Sequence, residues 1–376
     1  MTLPGIGSAW PGGGALVTDT RAPQLDLSAA VGQMTYTFRF EVIDAVSGMH
    51  LGDITPIRDA NLSHDTGQIT KRTLELSLGR ADTAAINALT DRVSVFMVIP
   101  SAQCPDTSSG DWPLGRYVFV DNPRRVSTGG RLGQPRLTDE MFLVDQPIEA
   151  GISGSGLNVM SVILLSVAGL PITLQAEASN FTSADSWGIG VNRGQIYEAL
   201  SVAGDYFSPW FDNTGKMRFI RTFDPSVAIP DIDFDAGYRV LRQDILETDE
   251  LLTAPNTFIV ISNNSGTPET PIFAVATVPV NAPNSVAARG FAITKVVDLQ
   301  ITDAAQAAAI ANGLVQRQAI FEQVQLSTPA DPRHDSYNVI RWQGENWLEL
   351  SWAMTLAPGA PMIHVLRKSY GPVTTS

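Results

Sequence analysis

Strict alternation of apolar and polar residues is the feature that most limits what this chain can become. In TYTFRFEVID, Tyr36, Phe38, Phe40 and Val42 alternate with Thr37, Arg39 and Glu41. A period of two belongs to a strand with one buried face, because successive side chains leave the backbone on opposite sides. RTLELSL repeats the pattern with Leu74, Leu76 and Leu78, and RVSVFMVIP, GRYVFVDNP and TDEMFLVD are further strand candidates. A short helix over TAAINALTD, capped by Asp82 and with Ile86 and Leu89 on one face, interrupts them. Residues 35–149 therefore read as a first β-barrel domain.

The period then changes twice. Residues 150–224 open on the flexible GISGSG and continue with an apolar helix over 157–168, the strand PITLQAE and the loop SNFTSADSWGIGVNRG. A second helix carries Ile196, Leu200 and Ala203 on one face, and SPWFDNTGKMRFI (208–220) follows it. Asn213-Thr214-Gly215 between two bulky arms predicts a tight hairpin whose apolar side packs on that helix. This stretch reads as a small α+β domain. From 225 to 376 strand candidates return: TFIVIS, IFAVATVPV, FAITKVVDL, YNVIRW, WLELSWAMTL and MIHVLRKS. Among them TDAAQAAAIANGLVQRQ predicts a helix capped by Thr302 or Asp303, with a narrow stripe of Ala305, Ala308, Ala309, Ile310, Ala311 and Leu314 packed on a sheet. This last segment reads as a second β-barrel domain. Residues 1–34 lack periodicity, are rich in Gly and Pro, and read as an N-terminal arm that adds little stability. The expected fold class is mainly β with an α+β insertion.

Function is approached first by exclusion. A formal charge of −13 and a pI near 4.7 disfavour a reader of phosphate backbones or an anionic membrane surface. One cysteine, Cys104, permits no intrachain disulfide and no cysteine-rich zinc site. NVMSVILLSVAGL is too short to span a bilayer, and no charged segment followed by an apolar core opens the chain, so neither a membrane anchor nor a secretory leader is expected.

The short motifs are weak. GIGVNRG (188–194) has the wrong glycine spacing for a phosphate loop and no strand before it. DIDFDAG (231–237) misplaces the glycine of a calcium loop and has Arg242 where the bidentate Glu belongs. Asp139/Glu140 and Asp249/Glu250 are adjacent, so their side chains do not converge as an acid–base couple. His64-Asp65 and His334-Asp335 read as solvated turn residues, and His50 and His364 form no metal-ligand spacing with them. Trp342, Trp347 and Trp352, with Gly344 between the first two, fit a strand–turn–strand core; a sugar-stacking platform is the alternative. No catalytic, cofactor-binding or metal residue is therefore assigned. Folding is expected to need no metal, so thermal melts with and without chelator should coincide.

The run FRFEVIDAVSGMHLGDITPIRDANLSHDTGQITKRTLELSL, followed by DRVSVFMVIP and WPLGRYVFVD, resembles the opening of minor tail proteins of long-tailed actinobacteriophages. PWFDNTGKMRFI behind a helix resembles the hairpin of their hub-type, tail-associated members, and TAPNTFIVIS with DAAQAAAIANGLVQRQ continues the likeness over about residues 35–370. The resemblance implies a baseplate hub at the distal tip of the tail in the virion. Two tail-tube-like β-barrels and the α+β domain would build a homotrimeric ring that closes the tube and lets double-stranded DNA pass on infection. Partners implied are the distal tail protein, the tape measure protein and other baseplate or fibre proteins. Members often carry C-terminal extensions with fibres or hydrolases, and none is seen before Ser376, so no lytic activity is expected. The competing readings are a distal tail ring or wedge, a cell-wall glycosidase, and a carbohydrate-binding module using the three tryptophans.

Overall fold

The computed structural model describes residues 35–375 except 46, 59, 80–81, 83–85, 101–109, 122–123, 128–129, 236–239, 241, 247–251, 263–271, 302, 320–321 and 371–373. Cys104, Asp249, Glu250, Thr302, the N-terminal arm and residues 83–85 lie outside the described residues; the helix expected after Asp82 does not continue through 86–90, which form no helix and end in a turn at 88–90.

The alternating runs do form strands, and a 13-stranded sheet gathers most of them. From one edge the order is His50–Ile54, Thr37–Asp44, Asp91–Val98, Asp111–Asp121, Arg136–Asp139, Arg72–Glu75 and Ala60–Asp65. It continues through Glu345–Leu356, Pro361–Lys368, Gln323–Pro329 and Arg242–Leu246, with Val339–Trp342 and Ile232–Asp233 branching beside Glu345–Leu356.

Two separate closed barrels are thus not what forms among the described residues. The first and last segments are seamed where Ala60–Asp65 pairs antiparallel with Glu345–Leu356. The register sets Ala60 opposite Leu356, Leu62 opposite Met354 and His64 opposite Trp352, all buried. The inward stripe of one strand continues on the other, so Trp352, Met354, Leu356 and Met362 complete the core of Phe40, Leu62, Leu74, Val93 and Tyr117.

The middle segment has a core of its own. Helices Val159–Val167 and Arg193–Gly204 cover a three-stranded sheet in which Lys216–Phe219 runs parallel to Thr173–Ala176 and antiparallel to Trp210–Phe211. Asn158 caps the first helix by accepting from the Met160 amide at 2.9 Å. Phe211, Met217 and Phe219 pack with Ile196, Tyr197 and Leu200, which is the contact expected of the hairpin. This core also takes Met141, Val144 and Ile148, because Met141–Val144 is helical and not the strand that TDEMFLVD suggests.

The segment after 225 divides its apolar residues between two further cores. Val324, Leu326, Ile340, Trp342, Trp347 and Leu366 belong to the large sheet. A four-stranded sheet of Thr294–Asp298, Thr257–Ser262, Ile272–Thr277 and Thr374–Thr375 instead carries the helix Ala304–Gln318. Asp303 caps that helix through the Gln306 amide at 2.8 Å. Its buried face is Gln306, Ala307, Ile310, Ala311, Leu314 and Val315; Ala305 is exposed, and so is Leu89 in the first segment at 95%.

Candidate functional site

Chemistry-bearing side chains gather where the three segments meet, around the loop 332–338. The hairpin supplies one side. Asp212 accepts from the amides of Thr214 and Lys216 and from the Thr214 hydroxyl, and Gly215 adopts the positive φ (77°) that closes the turn. This fixes Asn213 at the tip, where its Nδ2 donates to the carbonyls of His334 (3.0 Å) and Pro332 (3.3 Å).

The first segment supplies two adjacent cations. The Arg72 guanidinium, almost wholly buried, donates to Asn213 Oδ1 at 2.6 Å and to Asp335 Oδ1, and lies over the Trp352 ring. Trp210 Nε1 donates to the same Asp335 oxygen at 3.0 Å. Gly115 makes room for this group: at φ +123° an added Cβ would stand 2.6 Å from the Tyr117 hydroxyl and 3.1 Å from Arg72 Nη1. Lys71 Nζ donates to the carbonyls of Thr66 and Gln68 and to Ser208 Oγ, and Ser208 in turn donates to Glu198. Asp139 accepts from the amides of Lys71, Arg72 and Met141.

Burial sets the electrostatics. It pushes Asp139 up to about 6 against the pull of those amides and of Arg72. Asp335 rises to about 6 for the same reason, although Arg72 pulls it down, and desolvation lowers Lys71 to about 8.

Behind the loop lies a second cluster. Glu349 lies between two imidazoles: His334 Nδ1 is 2.8 Å from Oε2 and His364 Nδ1 is 2.7 Å from Oε1. All three are buried, the two rings stand 4.5 Å apart, and Phe234 packs at their edge. Burial lifts Glu349 to about 7 and lowers His334 to about 4; His364 is lowered as well. His64 Nε2 meets Ser336 Oγ at 2.6 Å while its ring stacks on Trp352. His64 and His334 are therefore interior residues, not solvated turn residues. Alternation around His64 put it on the inward face of its strand, a signal the sequence did carry. Nothing in the sequence pairs His334 or Arg72 with its partners.

The other candidates resolve individually. The GIGVNRG loop opens the helix Arg193–Gly204, but the Gly194 amide is taken by Asp145 Oδ1 at 2.9 Å and a Cβ there would meet that oxygen at 2.6 Å. The chain's own carboxylate thus fills the place of an anion. In DIDFDAG, Asp231 accepts from the Val339 amide and Asp235 from those of Gln343 and Gly344, so the aspartates bind backbone. Asp139 and Glu140 diverge, the latter pairing with Arg92. Trp342, Trp347 and Trp352 are buried, which removes the sugar platform and leaves the core reading; Gln343 and Gly344, both at positive φ, make the turn between the first two. His50 is exposed beside Asp53. No helix among the described residues is long and apolar enough to cross a membrane.

No family model matches the sequence, and no curated protein matches it. Solved structures do. The 43 kDa tail protein of prophage MuSo2 from Shewanella oneidensis aligns with a TM-score of 0.54 at 11% identity, covering 88% of this chain and 98% of that one. A tail protein from Neisseria meningitidis MC58 gives 0.56 at 13%, covering 88% and 97%. A prophage tail protein from Listeria monocytogenes EGD-e gives 0.54 at 10%, covering 89% and 95%. At these identities the chain shares a fold with phage tail proteins over nearly its whole length.

Proposed function

We propose that this protein is a structural component of a phage tail tip, and within it the homotrimeric baseplate hub. The observation that carries the reading is the fold shared with three tail proteins over 88–89% of the chain. The junction supports it: Arg72, Lys71 and Asp139 are buried, and the hydrogen bonds among Arg72, Asn213 and Asp335 tie three segments together. Three copies would form a ring beneath the tube, next to the distal tail and tape measure proteins, at the distal end of the virion. A net charge of −13 suits a ring through which DNA must pass without being held by counterion release. The residue patterns add a resemblance to the tail proteins of actinobacteriophages. The test is a reconstruction of intact particles. Three copies around the tail axis are expected; six copies, or copies on side fibres, would overturn the hub assignment.

A further inference from the structure

We propose that His334, Glu349 and His364 form a buried site for one late first-row divalent cation, with zinc the ion that the donor set fits best. Two imidazole nitrogens and a carboxylate are a zinc donor set, and soft thiolates are not required. The three ligand atoms lie within 4.8 Å of one another. They come from a loop and from two neighbouring strands, Glu345–Leu356 and Pro361–Lys368, whose pairing holds Glu349 and His364 together.

Counting hydrogens leads to the cation. Thr328 has one hydroxyl proton, and its Oγ1 lies 2.9 Å from the Pro329 carbonyl, which can only accept. In the tautomer where Thr328 spends that proton on Pro329, His364 Nε2, 2.8 Å from the same Oγ1, carries the ring hydrogen. A neutral ring so placed leaves Nδ1 bare, and that atom faces Glu349 Oε1 at 2.7 Å, lone pair to lone pair. His334 turns its Nδ1 to the other carboxylate oxygen, and its own Nε2 has no partner. A cation held by both Nδ1 atoms and the carboxylate satisfies the contacts at Glu349 and at His364, and leaves the Nε2 hydrogen of His334 without a partner. Thr328 is then the group that a ligating imidazole uses to fix its far nitrogen. Tetrahedral coordination needs N–O spacings of roughly 3.3 Å, so each pair opens by about half an ångström to admit the ion. A proton on His364 Nδ1 is the competing filler of the same gap.

With His334, Glu349 and His364 buried, the ion enters as the chain folds. Full-length protein without an affinity tag is therefore made in medium supplemented with zinc, or with cobalt, then desalted and assayed for bound metal by mass spectrometry. The expected result is about one zinc per chain, retained in His50→Ala, which removes the exposed cluster Glu41, His50 and Asp53, and lost in folded His364→Gln. The cobalt form of the unaltered chain should show the intense visible absorption of a tetrahedral ion, a readout that does not depend on any variant folding. Metal-free folded protein, metal removed by His50→Ala, metal retained by His364→Gln, or a weak octahedral cobalt spectrum would each overturn the site and leave the shared proton. None of these outcomes bears on the tail-tip reading.

Discussion

At the scale of single residues the fold depends on charges placed where water cannot reach them. Arg72 is almost wholly buried, whereas the side chain of its partner Asp335 keeps 26% exposure. Removing the aspartate strands a guanidinium in the interior; removing the arginine leaves a carboxylate that can still find water. Asp335→Ala should therefore cost about 3–5 kcal/mol and Arg72→Met about 2, an asymmetry readable from urea midpoints. Equal losses would show that the pair is not what holds the junction. His64 makes a prediction about pH. Burial holds its ring well below the usual histidine range, with Arg72 and Lys71 adding to the effect. A depressed folded value contributes stability that is complete above the unfolded value near 6.5 and is lost as pH falls. Below that value the unfolded chain takes up a proton that the folded chain refuses. His64→Gln should accordingly flatten the loss of stability between pH 6.5 and 5 by up to about 1.4 kcal/mol per pH unit. An unchanged slope would mean that the ring is protonated in the fold.

At the scale of elements, capping and turns behave as local chemistry requires, and partners far away in the chain decide what each element is for. The helix Ala304–Gln318 starts where Asp303 takes the Gln306 amide, so Asp303→Ala should lower stability by about 1 kcal/mol in chemical denaturation. Gln306 itself is buried and donates from Nε2 to the carbonyls of Thr182 and Ala203, both at 3.0 Å. One residue thus opens the helix and docks it on the middle segment. The hairpin is similarly two-sided. Phe211, Met217 and Phe219 face the helices, while Trp210 joins Phe207, Tyr337 and Leu348, with Ile220 packed against them. It is a wedge between segments, which explains why so short a turn is so heavily aromatic.

At the scale of the whole molecule the seam between Ala60–Asp65 and Glu345–Leu356 is decisive. A fragment spanning 35–149 lacks Trp352, Met354, Leu356 and Met362, which belong to its core. Expressed alone, it should lack the dispersed amide spectrum of a packed protein, and co-expression with 225–376 should restore it. A well-dispersed isolated fragment would show that the first segment is an independent domain after all. The same seam closes a contact across almost three hundred residues, so slow folding is expected of this topology.

What the amino-acid sequence determined by itself was local: the alternating strands, the caps at Asn158 and Asp303, the turns at Gly215 and Gly344, and the order of β-rich, mixed and β-rich segments. These follow from nearest neighbours and from a period of two or 3.6, which any short window displays. Alternation says which face of a strand is apolar; it does not say which strand lies beside it. That is why two barrels could be read where, among the described residues, one 13-stranded sheet joins both segments, and why Trp352 could be read as a surface platform although its stripe faces His64. The junction was out of reach for a stronger reason. Arg72, Asn213 and Asp335 are polar residues that any window places at the surface; Arg72 is buried, and Asn213 and Asp335 half-buried, only because each satisfies another from a distant segment. Desolvation makes such groups costly alone and acceptable together, so only the tertiary structure, by bringing them into contact, decided that they are interior.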